Sequence, residues 1–148
     1  MEADLTQIRL HLLGRVVETA RIPAAHETSA ALGLTEQEAI DAYRRLHEGR
    51  VGSMEPGDPT RFRMLNPFSA VPTPFTVDAG GRSYFGNCVF DALGIISLLG
   101  GTGTVNTTCP DCKHAMTLAV SDRRLQRDEG VVHFSVPAAH WWDDIIYT

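Results

Sequence analysis

The chain has 148 residues, 43% hydrophobic and 21% charged, with a formal net charge of −5. That suits one domain, or one domain with a small appendage, built on a real core. The acidic balance leaves no electrostatic footprint for nucleic acid or an anionic membrane, and no apolar run approaches the roughly 20 residues a bilayer requires.

From the N-terminus, Leu5, Ile8, Leu12, Leu13, Val16 and Val17 recur at helical spacing and predict a first amphipathic helix, ended by Pro23. A short second helix is expected over Ala24 to Leu32, with Gly33 as its cap. Thr35 and Glu38 form a capping box for a third, running to about His47. Gly49, Gly52, Pro56, Gly57 and Pro59 then punctuate a hairpin whose return strand is Arg61 to Leu65. Three helices and a hairpin outline a winged helix, so residues 1–65 are expected to form a winged-helix-like helical domain. Charge argues against DNA as its partner. Met1 to Asn66 holds 8 Arg and no Lys against 10 acidic residues, and phosphate contacts need a positive surface.

Residues 66–75 carry Pro67, Pro72 and Pro74 and read as an extended linker, laid against the core by Phe68, Val71 and Phe75. The period then changes to that of strands. Phe75 to Val77 and Arg82 to Phe85 flank the turn Asp78-Ala79-Gly80-Gly81, and a helix opens at Cys88. Further strands are expected at Thr104 to Thr108, Met116 to Val120 and Val131 to Val136, with a last piece at Ile145 to Thr148. The fold class is α+β: an N-terminal winged-helix-like three-helix unit, then a mostly antiparallel β-sheet core over 66–148 with one buried helix.

Asn87-Cys88-Val89-Phe90-Asp91 carries the clearest chemistry. Cys88 and Asp91 stand at i and i+3, one helical face, and Asp91 is the only ionisable side chain between Val89 and Leu99. Asn87 is a good N-cap, and a thiol in the first turn would have its pKa lowered by the helix dipole. Burial would raise the Asp91 carboxyl, and a neighbouring thiolate would raise it further, so the two could share one proton. The plain alternative is a packed core cysteine beside a carboxyl that satisfies backbone donors.

Cys109-Pro110-Asp111-Cys112, with His114 behind it, has the spacing of a metal or redox pair. A four-ligand site would need more, with His133 and His140 as candidates, and a tight turn with two packed thiols is the alternative. Gly100 to Gly103 follows a helix and precedes a strand, the wrong order for a phosphate loop, and reads as a helix stop. Trp141-Trp142 would seal a core edge or wall a pocket. Three cysteines are an odd number. Behind the acidic start Met1-Glu2-Ala3-Asp4, they argue for reduced thiols and a cytoplasmic location.

Three segments together, Asn66 to Phe75, Asn87 to Ile95 and His140 to Ile145, resemble the alkylmercury lyase (organomercurial lyase) family. The resemblance spans nearly the whole chain, and the Cys-x-x-Asp helix with its Pro-rich lead-in is its most specific part. It implies an α+β lyase core over 66–148, no organic cofactor, and cleavage of carbon–mercury bonds by two cysteines and one aspartate. Cys88 matches the first cysteine, the mercury ligand, and Asp91 the aspartate; both would be catalytic and substrate-binding. The family's second cysteine follows a segment like Trp141 to Thr148, where the sequence ends. A truncated chain, Cys109 or Cys112 in its place, or an external thiol would each account for that.

The first function expected is therefore an organomercurial lyase that leaves a hydrocarbon and thiolate-bound Hg(II). Its partners would be a small organomercurial, low-molecular-weight thiols and a mercury-accepting thiol protein, with Cys109 and Cys112 as a further metal pair that could pass Hg(II) onward. The alternatives are a non-catalytic organometal-binding protein of the same fold and a winged-helix metal-responsive regulator.

Overall fold

The computed structural model describes residues 4–126 and 130–146. Helix α1 (Leu5–Thr19) starts where the Asp4 carboxylate accepts from the Thr6 N–H at 2.9 Å, and it buries Ile8, Leu12 and Val16, an i, i+4 stripe. It ends before Pro23 is reached. Ala20 turns left-handed (φ 56°) and closes its N–H on the Val16 carbonyl, so Pro23 is not the stop. Helix α2 (Ala25–Leu32) ends at left-handed Gly33. Helix α3 (Glu36–Glu48) opens on the expected box: Thr35 Oγ1 accepts from the Glu38 N–H, and Glu38 Oε2 accepts from the Thr35 N–H.

Tyr43 joins these helices to the first sheet. Its hydroxyl donates to the Pro23 carbonyl at 3.0 Å and shares a 2.8 Å hydrogen bond with Thr28, while its ring lies 4.7 Å from that of Phe62. The sheet runs β1 (Gly52–Glu55), β2 (Asp58–Leu65), β3 (Phe68–Ser69), all antiparallel. The return strand thus starts at Asp58, ahead of Arg61, and the Pro-rich segment supplies an edge strand. Phe68 is buried and packs at a tilt against Tyr84 (rings 5.5 Å apart), and a bridge from Phe68 to Gly86 ties this sheet to the second.

The second sheet holds β4 (Thr76–Ala79), β5 (Arg82–Phe85), β6 (Gly103–Thr108), β7 (Ala115–Ser121) and β8 (Arg124–Leu125), antiparallel in the order β5-β4-β6-β7-β8. Helix α4 (Val89–Leu98) packs on β4 and β6 and buries Ala92, Ile95 and Ile96 in one cluster with Val77 and Val105. Only that face is covered: Phe90 and Leu98 stay 64% and 65% exposed. Leu99 caps the helix, and the Gly101 N–H returns to the Ile96 carbonyl, so the glycine run is the helix stop expected.

Residues 131–136 form no strand. They pair with no strand of either sheet, although β8 covers only Val120 and Ser121 of β7, and Val131 is 93% exposed. A 3₁₀ helix, Ala138–Asp143, follows instead. Ile145 and Ile146 lie in a turn rather than a strand, and Tyr147 and Thr148 fall outside the described residues.

Candidate active site

The site begins where β5 meets α4. The Gly86 N–H donates to the Phe75 carbonyl at 3.0 Å, and the Gly86 carbonyl accepts from Thr73 Oγ1 at 2.6 Å. A Cβ at residue 86 would lie 2.7 Å from the Ala92 nitrogen, so glycine alone lets β5 run this close to the helix. Cys88, not Asn87, is the N-cap, in extended backbone at φ −145°, ψ −179°. Asn87 is thereby free to hold the carboxyl. Its Nδ2 donates to Asp91 Oδ2 at 3.1 Å and toward the Pro67 carbonyl at 3.4 Å. Its Oδ1 is buried without a hydrogen-bond partner among the described residues.

Cys88 and Asp91 line one cavity, and thiol and carboxyl act on each other's protonation. Burial pushes the Cys88 thiol up, outweighing the backbone N–H groups of Asp91 and Phe90 that favour thiolate, and the Asp91 charge adds to the rise. The expected lowering by the helix N-terminus is therefore reversed, because desolvation of the sulfur exceeds what those donors return. Burial likewise raises the Asp91 carboxyl above its ordinary range, against the stabilising donations of Asn87 and Cys88. Both groups are biased toward neutrality while standing beside each other, which suits them to pass one proton between them.

They open into a cavity of about 450 Å³. Val71 to Pro74 of the Pro-rich segment form one wall, and Phe90, Phe134, Trp141 and Trp142 another. Trp141 is fixed by its indole N–H, which donates to the Val136 carbonyl at 2.8 Å; its ring lies 5.0 Å from Phe134 and 6.5 Å from Phe90. The Arg50 guanidinium caps Trp142 at 5.9 Å. The paired indoles therefore wall a pocket. Among the described residues Arg63 is the one cationic side chain in the lining, and it is ion-paired to Glu55 at 3.2 Å. A small apolar body carrying one soft, electrophilic atom fits such a chamber, with sulfur and carboxyl together at its edge.

Cys109 and Cys112 do not line this cavity; they sit in the turn between β6 and β7. The backbone N–H groups of Cys112 and Asp111, with the Cys112 thiol, hold Cys109 below the usual thiol range. His133 and His140 do not join them: among the described residues no cluster of three or more His, Cys, Asp or Glu could hold a metal ion, and His140 hydrogen-bonds Asp143 at 2.9 Å. All three cysteines are free. Sequence reasoning missed Asn87 as the partner of Asp91, and it missed Phe134 as a wall. Asn87 carried a signal, one helical turn before the carboxyl; Phe134, placed by an irregular segment, carried none. No helix among the described residues is long and apolar enough to cross a membrane.

The family model described as MerB: Alkylmercury lyase matches residues 68–148. Among solved structures, the chain is similar to one described as "Crystal structure of the mercury-bound form of MerB2". The TM-score is 0.60 at 14% identity, over 83% of this chain and 66% of that one. The chain thus spans just under two thirds of that protein's length, and a likeness at this identity carries the α+β fold alone. No curated protein shows a match.

Proposed function

The chain belongs to the alkylmercury lyase family, and we propose that it cleaves the carbon–mercury bond of a small organomercurial by protonolysis, with Cys88 as the mercury-capturing sulfur and Asp91 as the proton donor. The observation that carries this is a thiol and a carboxyl brought together in the lining of one apolar cavity, within the residues the family model matches.

Hg(II) is soft and prefers thiolate sulfur. On capture, the Cys88 sulfur forms its bond to mercury, the organomercurial's other ligand leaves as an anion, and the thiol proton passes to the Asp91 carboxylate. Ligation makes that transfer favourable even for a thiol raised by burial, because metal binding expels the proton. A second thiolate then adds to mercury. The carbon–mercury bond breaks with its electron pair on carbon, and Asp91 returns the proton there. The products are a hydrocarbon, an ionised Asp91 and mercury held between two sulfurs. A general acid placed this way supplies about 10²- to 10⁴-fold of rate; the remainder is assigned to the extra thiolate pushing charge toward carbon.

Among the described residues Cys88 is the only thiol lining the cavity, so the second sulfur is assigned to a low-molecular-weight thiol. The same thiols, or a mercury-accepting thiol protein, take up the product, and the cytoplasm, rich in such thiols, is the proposed location. No organic cofactor has a part in these steps.

The test is incubation with a phenylmercury salt and excess small thiol, with headspace analysis for benzene. Cys88→Ala should release none and Asp91→Asn should bind mercury without release. Benzene at the parent rate from Cys88→Ala would remove the assignment; stoichiometric mercury uptake without benzene from the parent would make the protein a binder instead.

A further inference from the structure

The thiols of Cys109 and Cys112 have no part in the cavity, yet the fold holds them together. The Lys113 N–H returns to the Cys109 carbonyl at 3.0 Å, closing a single helical turn, and the Cys109 N–H donates to the His114 carbonyl at 2.9 Å. Left-handed Lys113 (φ 60°) then redirects the chain into β7. Within one such turn, residues at i and i+3 share a face. The sulfur of Cys109 accordingly receives the N–H groups of Cys112 and Asp111 and touches the Cys112 thiol. Cys112 is exposed and Cys109 half-buried, so the pair faces solvent.

From this geometry we infer that the Cys109–Cys112 turn is a second soft-metal site, chelating Hg(II) through two sulfurs outside the cavity. A zinc site needs four ligands, and no third His, Cys, Asp or Glu is gathered here among the described residues. Hg(II) is satisfied by two thiolates. Loading is ligand exchange without redox change: a bis-thiolate mercury complex gives up its two monothiols, which leave carrying the protons of Cys109 and Cys112, and two new sulfur–mercury bonds replace the two broken. Tethering both thiols on one turn makes the second bond intramolecular, an advantage on the order of 10²-fold or more over free monothiols. Metal binding here stands alone; that the Hg(II) is the cavity's own product rests on the lyase reading.

The experiment equilibrates the reduced full chain with Hg(II) as its bis-cysteine complex in excess cysteine, desalts it, and counts mercury per chain by native mass spectrometry. Cys88→Ala should keep a single Hg(II), and adding Cys109→Ser or Cys112→Ser should abolish retention; Zn(II) offered alike should be lost. Mercury loading of the Cys88→Ala protein should also shield both remaining thiols from alkylation, a readout that needs no change in the turn. A Cys88→Ala protein that keeps no mercury, or retention that survives Cys109→Ser, would overturn the site. Benzene release by the parent from a phenylmercury salt is read in parallel: its absence there, with retention by Cys88→Ala intact, would sink the lyase reading and leave this site standing.

Discussion

Asn87 Nδ2 donates to Asp91 Oδ2 across one helical turn, at 3.1 Å. One carboxyl oxygen is thereby pinned, and Asp91 is kept partly toward its ionised form against the burial that raises it. Removing that donor in Asn87→Ala should raise the Asp91 pKa further and move the acid limb of the pH–rate profile for phenylmercury cleavage to higher pH. Loss of position should lower kcat by roughly tenfold to a hundredfold. A pH–rate series measures both, and an unmoved limb would show that Asn87 has no hold on the carboxyl.

Asp91→Asn should stabilise the fold while stopping turnover. Burial raises the Asp91 pKa in the folded chain, so below the ordinary carboxylate range this group costs nothing, and as pH rises through the folded value stability is lost. The amide has no charge to desolvate. The variant's denaturation midpoint should therefore exceed the parent's at neutral pH, and the gap should close on acidification. Urea melts at neutral and acid pH provide the comparison.

Gly86→Ala should disturb the site without touching a reactive group. The new Cβ would sit 2.7 to 2.9 Å from the Ala92 backbone and Cβ, and neither neighbour is a flexible side-chain end. Overpacking of this kind costs about 1–3 kcal/mol, and the start of α4 must move, carrying Cys88 and Asp91 with it. Thermal melts and benzene release should both fall; parent-like values in both would mean that the close approach is not tight.

Glu27→Gln should weaken the helical unit alone. The Glu27 carboxylate pairs with Arg21 and accepts from the Ala24 N–H at 2.8 Å, and those donors hold its pKa down at about 2. Ala24 has no side-chain oxygen to return the favour, so this is half of a capping box. The parent's gain is whole above the ordinary value of 4.5 and fades as pH falls toward about 2. The substitution should cost about 1 kcal/mol at neutral pH and almost nothing in strong acid, read as a difference between melting curves.

Local signals account for what was legible beforehand. The Thr35–Glu38 box, the Ile8–Leu12–Val16 stripe, the glycine stop after α4 and the strands around Val77, Tyr84, Val105 and Leu118 are each written within a few residues, and each formed there, although Asp78 and Ala79, expected in the turn, pair with Ser83 and Arg82 and extend β4. The adjacency of Cys88 and Asp91 belongs with them, though as N-cap and N3 of α4 rather than as two residues inside the helix, because an N-cap side chain faces N3. Val131 to Val136 failed for the opposite reason: an alternating pattern makes a strand only when it pairs with a neighbour, and this segment pairs with none.

The chain by itself determined which thiol and which carboxyl meet at one helix start, because the spacing of N-cap and N3 needs no long-range partner. Tertiary structure alone decided how those groups behave. Burial raised a thiol that its helix start would have lowered, indoles some fifty residues downstream became its wall, and the Cys109–Cys112 turn was left facing solvent away from the cavity. Desolvation depends on every atom packed around a group, and those atoms come from parts of the chain that no local spacing relates to it.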